Sequence, residues 1–318
     1  MDELVLATRG SALALAQAQW VGAALQAARP GLSIRMLIVH TRGDHISAGT
    51  LAGEGGTMSA TGAPGGTGEF VREVQQAVLS GEAHAAVHSL KDLPLRGPEG
   101  LVLAAVPARG DVREALVSRG CRLEDLPAGA RVGTSSPRRR VFLRHLRPDV
   151  AVLEMRGNLD TRLRKLDGGV CDALVVAAAG LGRLGMADRV TQYLLPEIFL
   201  PAPGQGALAV EVRGEDAPVR ELVSRIDDPR ARQAVHAERA MLEALGGGCR
   251  VPVGAWARRE DRDLVLTGAY APDGVRIWRV TARVAADPAD LEAARRLGLE
   301  VGEQLLKLAG ERYARGGG

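Results

Sequence analysis

Aromatic residues make up only 3% of this 318-residue chain, and lysine occurs just three times, at Lys91, Lys165 and Lys307. So few aromatics argue against a surface that stacks nucleic-acid bases. The three cysteines, Cys121, Cys171 and Cys249, show no CxxC spacing. That excludes a disulfide framework and a cysteine-rich zinc site, and fits a reducing compartment. No stretch approaches the roughly 18 continuous apolar residues of a membrane span. The opening MDELVLATRG reaches glycine before any apolar run long enough for a secretory signal. A cytoplasmic protein without membrane or nucleic-acid partners is expected.

What is present is a soluble globular composition, 46% hydrophobic and 25% charged, in a chain long enough for two or three domains. The net charge of +3 conceals a local bias. Between Arg131 and Lys165 stand ten basic residues and three acidic ones, a net charge of +7. Some anionic partner is implied. Nearly all these cations are arginine, whose planar fork suits bidentate recognition of carboxylate or phosphate.

Hydrophobic periodicity predicts an α/β alternation. Leu4 to Ala7 reads as a strand, Ser11 to Ala28 as a helix with Leu13, Ala16, Trp20 and Ala24 on one face, and Leu32 to Val39 as a strand. A helix over 69–79 and strands at 85–87 and 101–106 follow. The alternation then restarts, with strands at 130–133, 150–155 and 173–177 and helices over 136–146 and 159–166. Two doubly wound domains around a cleft are expected. The final third predicts a long helix over 229–245, three strands and a closing helix over 289–308, a small α+β domain. Between these parts PAPGQGALAVEVR, Pro201 to Arg213, reads as an interdomain crossing leading into a strand. The expected division is 1–106 with 207–226, then 107–206, then 227–318.

Several candidate binding groups fall at carboxyl ends of predicted strands beside helix N-termini. These are Arg9, Gly10 and Ser11; Gly133 to Ser136 leading into Arg138, Arg139 and Arg140; and Arg156, Gly157 and Asn158. Each group alone also reads as ordinary N-caps and solvated arginines. HSLKDLP, His88 to Pro94, places Lys91 and Asp92 after another strand; the competing reading is a turn in which Asp92 bonds its own backbone. In GGGCRVP three glycines strip cover from Cys249 and Arg250 favours its thiolate, whereas the plain alternative is a glycine-terminated helix before a buried cysteine. A bilobal anion-binding protein would share the arginines without needing a displayed thiol.

Taken in order, ATRGSALAL (Ala7 to Leu15), HTRGD (His40 to Asp44), HSLKDLP, GTSSPRRR (Gly133 to Arg140), RGNLDTRLRKL (Arg156 to Leu166), AAAGLGRLG (Ala177 to Gly185), PAPGQGAL (Pro201 to Leu208) and GGGCRVPVGA (Gly246 to Ala255) resemble the motifs of the porphobilinogen deaminases, also called hydroxymethylbilane synthases. The resemblance covers almost the whole chain. It implies a monomeric transferase of porphyrin biosynthesis with two periplasmic-binding-protein-like domains. Four porphobilinogen molecules would be joined head to tail with release of ammonia, the growing polypyrrole chain being anchored through a dipyrromethane cofactor.

By the same resemblance Cys249 carries that cofactor as a covalent thioether, and Asp92 is the catalytic carboxylate. Lys91, Ser11, Thr134, Ser135, Ser136, Arg138, Arg139, Gly157 and Arg162 are implied as cofactor-binding, and Arg9, Arg156, Arg183 and Gln205 as substrate-binding. No metal is implied. The chain departs from the pattern between Asp44 and Phe70. Thr67 and Glu69 stand where many members carry lysine and leucine, after a segment with eight glycines between Gly49 and Gly68 that reads as a mobile lid or a tolerated insertion.

Overall fold

The computed structural model describes residues 1–39, 69–247 and 251–313. It divides the chain into two compact units, Met1–Ala105 with Leu208–Ile226, and Val106–Ala207 with Asp227–Gly318. The 49–68 segment and Cys249 lie outside the described residues.

In the first unit a five-stranded sheet runs in the order β2-β1-β3-β10-β4, built from β1 (Glu3–Arg9), β2 (Ser33–Val39), β3 (Ala85–Ser89), β4 (Leu101–Ala105) and β10 (Leu208–Arg213). β1 is parallel to β2 and β3, while β10 runs antiparallel between β3 and β4. Side chains of β1 alternate between two cores. Leu4 and Leu6 pack with Ala18, Val21 and Leu25 of helix α1 (Ala12–Ala28) and with Val219, Leu222 and Val223 of the helix Ala217–Ser224. Val5 and Ala7 pack with Val74, Ala77 and Val78 of helix α2 (Glu69–Leu79). Covering both faces is what makes β1 an unbroken apolar run. In α1 the buried residues are Gln17, Ala18, Val21, Gly22 and Leu25, and Trp20 is 44% exposed. The inward face is therefore not the one expected from Leu13, Ala16, Trp20 and Ala24.

The second unit repeats the sheet pattern as β7-β6-β8-β5-β9, from β5 (Glu114–Ser118), β6 (Arg131–Gly133), β7 (Ala151–Leu153), β8 (Ala173–Ala177) and β9 (Gln192–Leu194). Here β5 is the antiparallel strand beside β8. Helices α3 (Pro137–Leu146), α4 (Leu159–Asp167) and α5 (Ala178–Arg183) connect the strands. Val175 faces Phe142, Leu143 and Phe199 on one side, and Leu174 and Val176 face Leu163, Leu166 and Leu181 on the other.

The same unit holds an antiparallel meander, β11 (Val253–Glu260), β12 (Asp263–Tyr270) and β13 (Trp278–Ala285). It packs against helices α7 (Pro229–Ala244) and α8 (Leu291–Tyr313), α6 being the Ala217–Ser224 helix of the first unit. The fold is thus mixed α/β, with two sheet domains of one topology and a smaller antiparallel domain. Among the described residues no helix is long and apolar enough to cross a membrane.

Candidate active site

In the first unit the register Leu6↔Ala85 and Ala7↔Ala86 brings the carboxyl ends of β1 and β3 side by side. Arg9 closes β1, and Ser11 caps α1 by accepting a hydrogen bond from the Ala14 amide at 3.3 Å. From inside α1, buried Gln17 bonds Ser89 at the end of β3, Nε2 to Oγ at 2.8 Å. The chain then makes a single 3-10 turn, Leu90–Asp92, pinned by Leu90 at 1% exposure. The Leu93 amide donates to the Leu90 carbonyl, so the backbone closes this turn by itself. Asp92 is half-buried, and among the described residues no hydrogen bond or ion pair reaches its carboxylate. It does not bond its own backbone.

Behind this turn His88 Nε2 lies 3.2 Å from Glu211 Oε2, both residues being buried. Gln75 of α2 donates to the same oxygen at 2.8 Å. The Gln75–Glu211 bond joins α2 to β10, with His88 of β3 packed against the same carboxylate just before the Leu90–Asp92 turn.

In the second unit the loop after β6 carries Thr134, Ser135 and Ser136. Thr134 is buried and its hydroxyl accepts from the Ser136 amide. Ser136 caps α3, accepting from the Arg139 amide, with Pro137 in the first turn. The sequence reads Arg138 and Arg139 as cofactor-binding, with solvated surface arginines as the competing reading. The structure turns both inward, at 5% and 6% exposure, onto the fully buried carboxylate of Glu114. Arg139 donates from Nε at 3.0 Å and pairs through Nη2 at 2.8 Å; Arg138 pairs with the other oxygen and also donates to the Leu200 carbonyl at 2.5 Å. Burial pulls the Arg138 guanidinium below its ordinary pKa despite that partner. The physical reason is local: position two of a capped helix over a sheet points at the sheet, and β5 supplies the acid there.

Gly157 holds φ at +113°, which a side chain rarely adopts, and its carbonyl accepts from Arg162 Nε at 2.8 Å. Arg156 is exposed and paired with Glu154 at 2.7 Å. Arg183 differs. Its Nη2 donates to the Gly206 carbonyl at 2.6 Å, no carboxylate pairs with it among the described residues, and burial lowers its pKa to about 10. Gly206 itself has φ +85°, and a Cβ there would stand 2.6 Å from the Gly110 carbonyl oxygen. Gln205, expected to touch substrate, is fully buried, and its amide donates to the Val112 and Arg113 carbonyls. Its side chain shapes the loop from inside.

The described flank of Cys249 is a closed helix end, where the Gly246 and Gly247 amides bond the carbonyls of Glu243 and Leu242. Of the other cysteines, Cys121 is exposed, and Cys171 is buried with its thiol pushed up by desolvation. Upstream on α7, fully buried Glu238 accepts from Arg109 at 2.8 and 3.0 Å and from the amides of Gly204 and Ala257. It thereby ties the helix that leads to Cys249 to the Gly204–Gln205 loop and to β11. The sequence reading missed Glu114, Arg109 and Glu238. Glu238 was detectable, because it falls in phase with the inward stripe Ala231, Ala234 and Met241. For Glu114, which opens a five-residue strand, no local pattern marks the role.

Two family models match the chain, one described as porphobilinogen deaminase, dipyromethane cofactor binding domain, over residues 4–221, and one as its C-terminal domain over residues 232–307. The porphobilinogen deaminase of Syntrophobacter fumaroxidans is 46% identical over 95% of this chain and 93% of its own length. That of Roseiflexus castenholzii is 46% identical over 98% of both, and that of Sorangium cellulosum 47% identical over 96% and 99%. Among solved structures, an arginine-specific periplasmic binding protein of Salmonella typhimurium superposes with a TM-score of 0.40, at 12% identity over 73% of this chain and 97% of its own. Matched by both family models in their own order and by relatives along nearly its whole length, the chain belongs to the porphobilinogen deaminase family.

Proposed function

We propose an assignment of residues to the family's reaction, the condensation of four porphobilinogen molecules into hydroxymethylbilane with loss of ammonia. The observation that carries it is the half-buried Asp92 carboxylate, held by a self-sufficient turn and bonded to no other described residue. As the aminomethyl nitrogen leaves porphobilinogen with a proton, as ammonia, positive charge spreads over the pyrrole. A carboxylate fixed in a partly desolvated position stabilises that charge as it develops. A new carbon–carbon bond then forms to a pyrrole α-carbon, whose proton must be removed, and Asp92 is the base at hand. For release, the anchoring pyrrole α-carbon would take a proton back, the bond joining the four-unit chain to it would break, and water would add to the cation left on the chain with loss of a proton, which gives the hydroxymethyl group.

The residues fit the family's dipyrromethane group. Its carboxylates call for cations with unmet charge, and Arg138 and Arg139 set two guanidinium charges against the single carboxylate of Glu114. When bound, the group supplies the pyrrole carbon to which the first substrate is joined. Cys249 would hold it by a thioether, with Lys91, Ser11, Thr134, Ser135, Ser136, Gly157 and Arg162 around it. Arg138 and Arg139 would serve by sharing their charge between Glu114 and the ligand. Arg9, Arg156 and Arg183 would take substrate carboxylates, with Gln205 supporting the loop beneath. The same reading makes the protein a cytoplasmic monomer with domains 1–106 with 207–226, 107–206 and 227–318.

Replacing Asp92 by Asn tests the central role. The change keeps size and removes charge, and should lower kcat on the order of 10² to 10³ while the mass of the cofactor-bearing protein stays unchanged. Turnover near that of the wild type would rule the role out.

A further inference from the structure

Arg140 stands one residue beyond the buried pair, and the proposed function leaves it without a task. It lies in the first turns of α3, where its amide bonds the Ser136 carbonyl at 3.0 Å. Its Nε is buried and has no hydrogen-bond partner, and its guanidinium makes no hydrogen bond or ion pair among the described residues. A buried, unbonded N–H of a charged group is costly unless some further group comes to meet it.

The neighbourhood says what kind of group that is. The Thr134 amide bonds the Leu153 carbonyl at 2.9 Å, so the end of β6 is joined to the end of β7 just before Glu154. Glu154 feels the charge of Arg140, but its carboxylate is bonded to Arg156 at 2.7 Å. Lys165 reaches the same turn, donating to the Arg156 carbonyl at 3.2 Å. Arg140 and Arg156 therefore both act on Glu154, Lys165 reaches the turn through the Arg156 carbonyl, and α3 has no acidic residue in its first turn. The excess is cationic, and among the described residues Arg140 is the one of the three whose side chain has no bonded partner.

We propose that Arg140 is a further carboxylate-binding residue of this enzyme, taking an acetate or propionate group of the pyrrole chain at the carboxyl ends of β6 and β7. This rests on the proposed function, in that the bound anion is the substrate's. Arg140 sets how firmly one stage of the growing chain is held and performs no chemistry.

The test compares wild-type holoenzyme with Arg140→Gln and Arg140→Lys, using porphobilinogen as the probe. Arg140→Gln should keep the cofactor mass and thermal midpoint, raise KM about tenfold through loss of one charge-assisted hydrogen bond, and accumulate one intermediate pyrrole number in intact-mass spectra. Arg140→Lys should recover most of the affinity. Wild-type KM and mass distribution in Arg140→Gln would overturn the assignment. So would a lowered thermal midpoint or lost cofactor with unchanged KM, which would make Arg140 structural. A wild-type protein that adds no pyrrole at all would bring down the functional reading, and this assignment with it.

Discussion

Glu114→Gln should be among the most damaging single changes in the second unit, and the damage should depend on whether cofactor is bound. Glu114 is fully buried and is the carboxylate between Arg138 and Arg139, themselves 5% and 6% exposed. Glutamine preserves the volume and one accepting oxygen but leaves two guanidinium charges facing each other in a desolvated place. Breaking a buried pair from one side costs about 3–5 kcal/mol, a large part of a stability of about 5–15 kcal/mol. With an m-value of about 2 kcal/mol/M the urea midpoint should fall by roughly 1.5–2.5 M. Trp256 and Trp278 report on this unit, and Trp20→Phe silences the signal of the first. On the proposed assignment, Cys249→Ser gives the protein without cofactor. If ligand carboxylates share the two arginines, the loss should be clearly smaller in the holoenzyme. A loss under about 1 kcal/mol without cofactor would refute the buried pairing. Equal losses in both forms would refute the sharing.

Cys249→Ser should lack the adduct mass, and peptide mapping of the wild type should find the dipyrrole on Cys249; an adduct on Cys121 or Cys171 would be the contrary result. Arg183→Met should weaken porphobilinogen binding yet leave thermal stability equal or higher at neutral pH. Burial holds the folded-state pKa near 10, below the ordinary guanidinium value, so the unfolded chain binds the proton more tightly, the charged form opposes folding below pH 10, and that penalty fades as the pH rises above 10. A large drop in stability at pH 7 would show that Arg183 is structural instead. Gly206→Ala should cost about 2 kcal/mol or more, because it combines a left-handed backbone with a Cβ 2.6 Å from the Gly110 oxygen. It should also disturb substrate affinity, since the Gly206 carbonyl is what Arg183 holds; an unchanged melting temperature would contradict the crowding.

The strands that a run of apolar residues announces, β1, β3 and β8, were legible in the sequence, as were the capped helices at Ser11 and Ser136. β5 and β9 were not. A five-residue and a three-residue strand carry too short a pattern, and both owe their existence to neighbours: β5 pairs with β8 and with β9. Helix α1 was found but its phase was misread, because its alanines fit either face and buried Gln17 is inside only to bond Ser89. The same limit governs the site. Motif positions give residue types at strand ends, as with Asp92, but whether an arginine faces a ligand or a buried acid depends on a residue from another strand. Glu114 decides that for Arg138 and Arg139, and nothing near them in the chain announces it.

The antiparallel strand at the fourth position of each sheet has a consequence for biosynthesis. β5 reaches its sheet before β6 to β9, so the second sheet can close as its residues are made. The first sheet has β1 to β4 by Ala105 but needs β10, which ends at Arg213, to join β3 to β4. At about 5–20 residues per second the ribosome leaves that gap open for roughly 5–20 s. During this interval the facing edges of β3 and β4 carry unpaired amides and carbonyls beside Asp92, and the first part of the chain to be synthesised is the last of the two sheets to be completed.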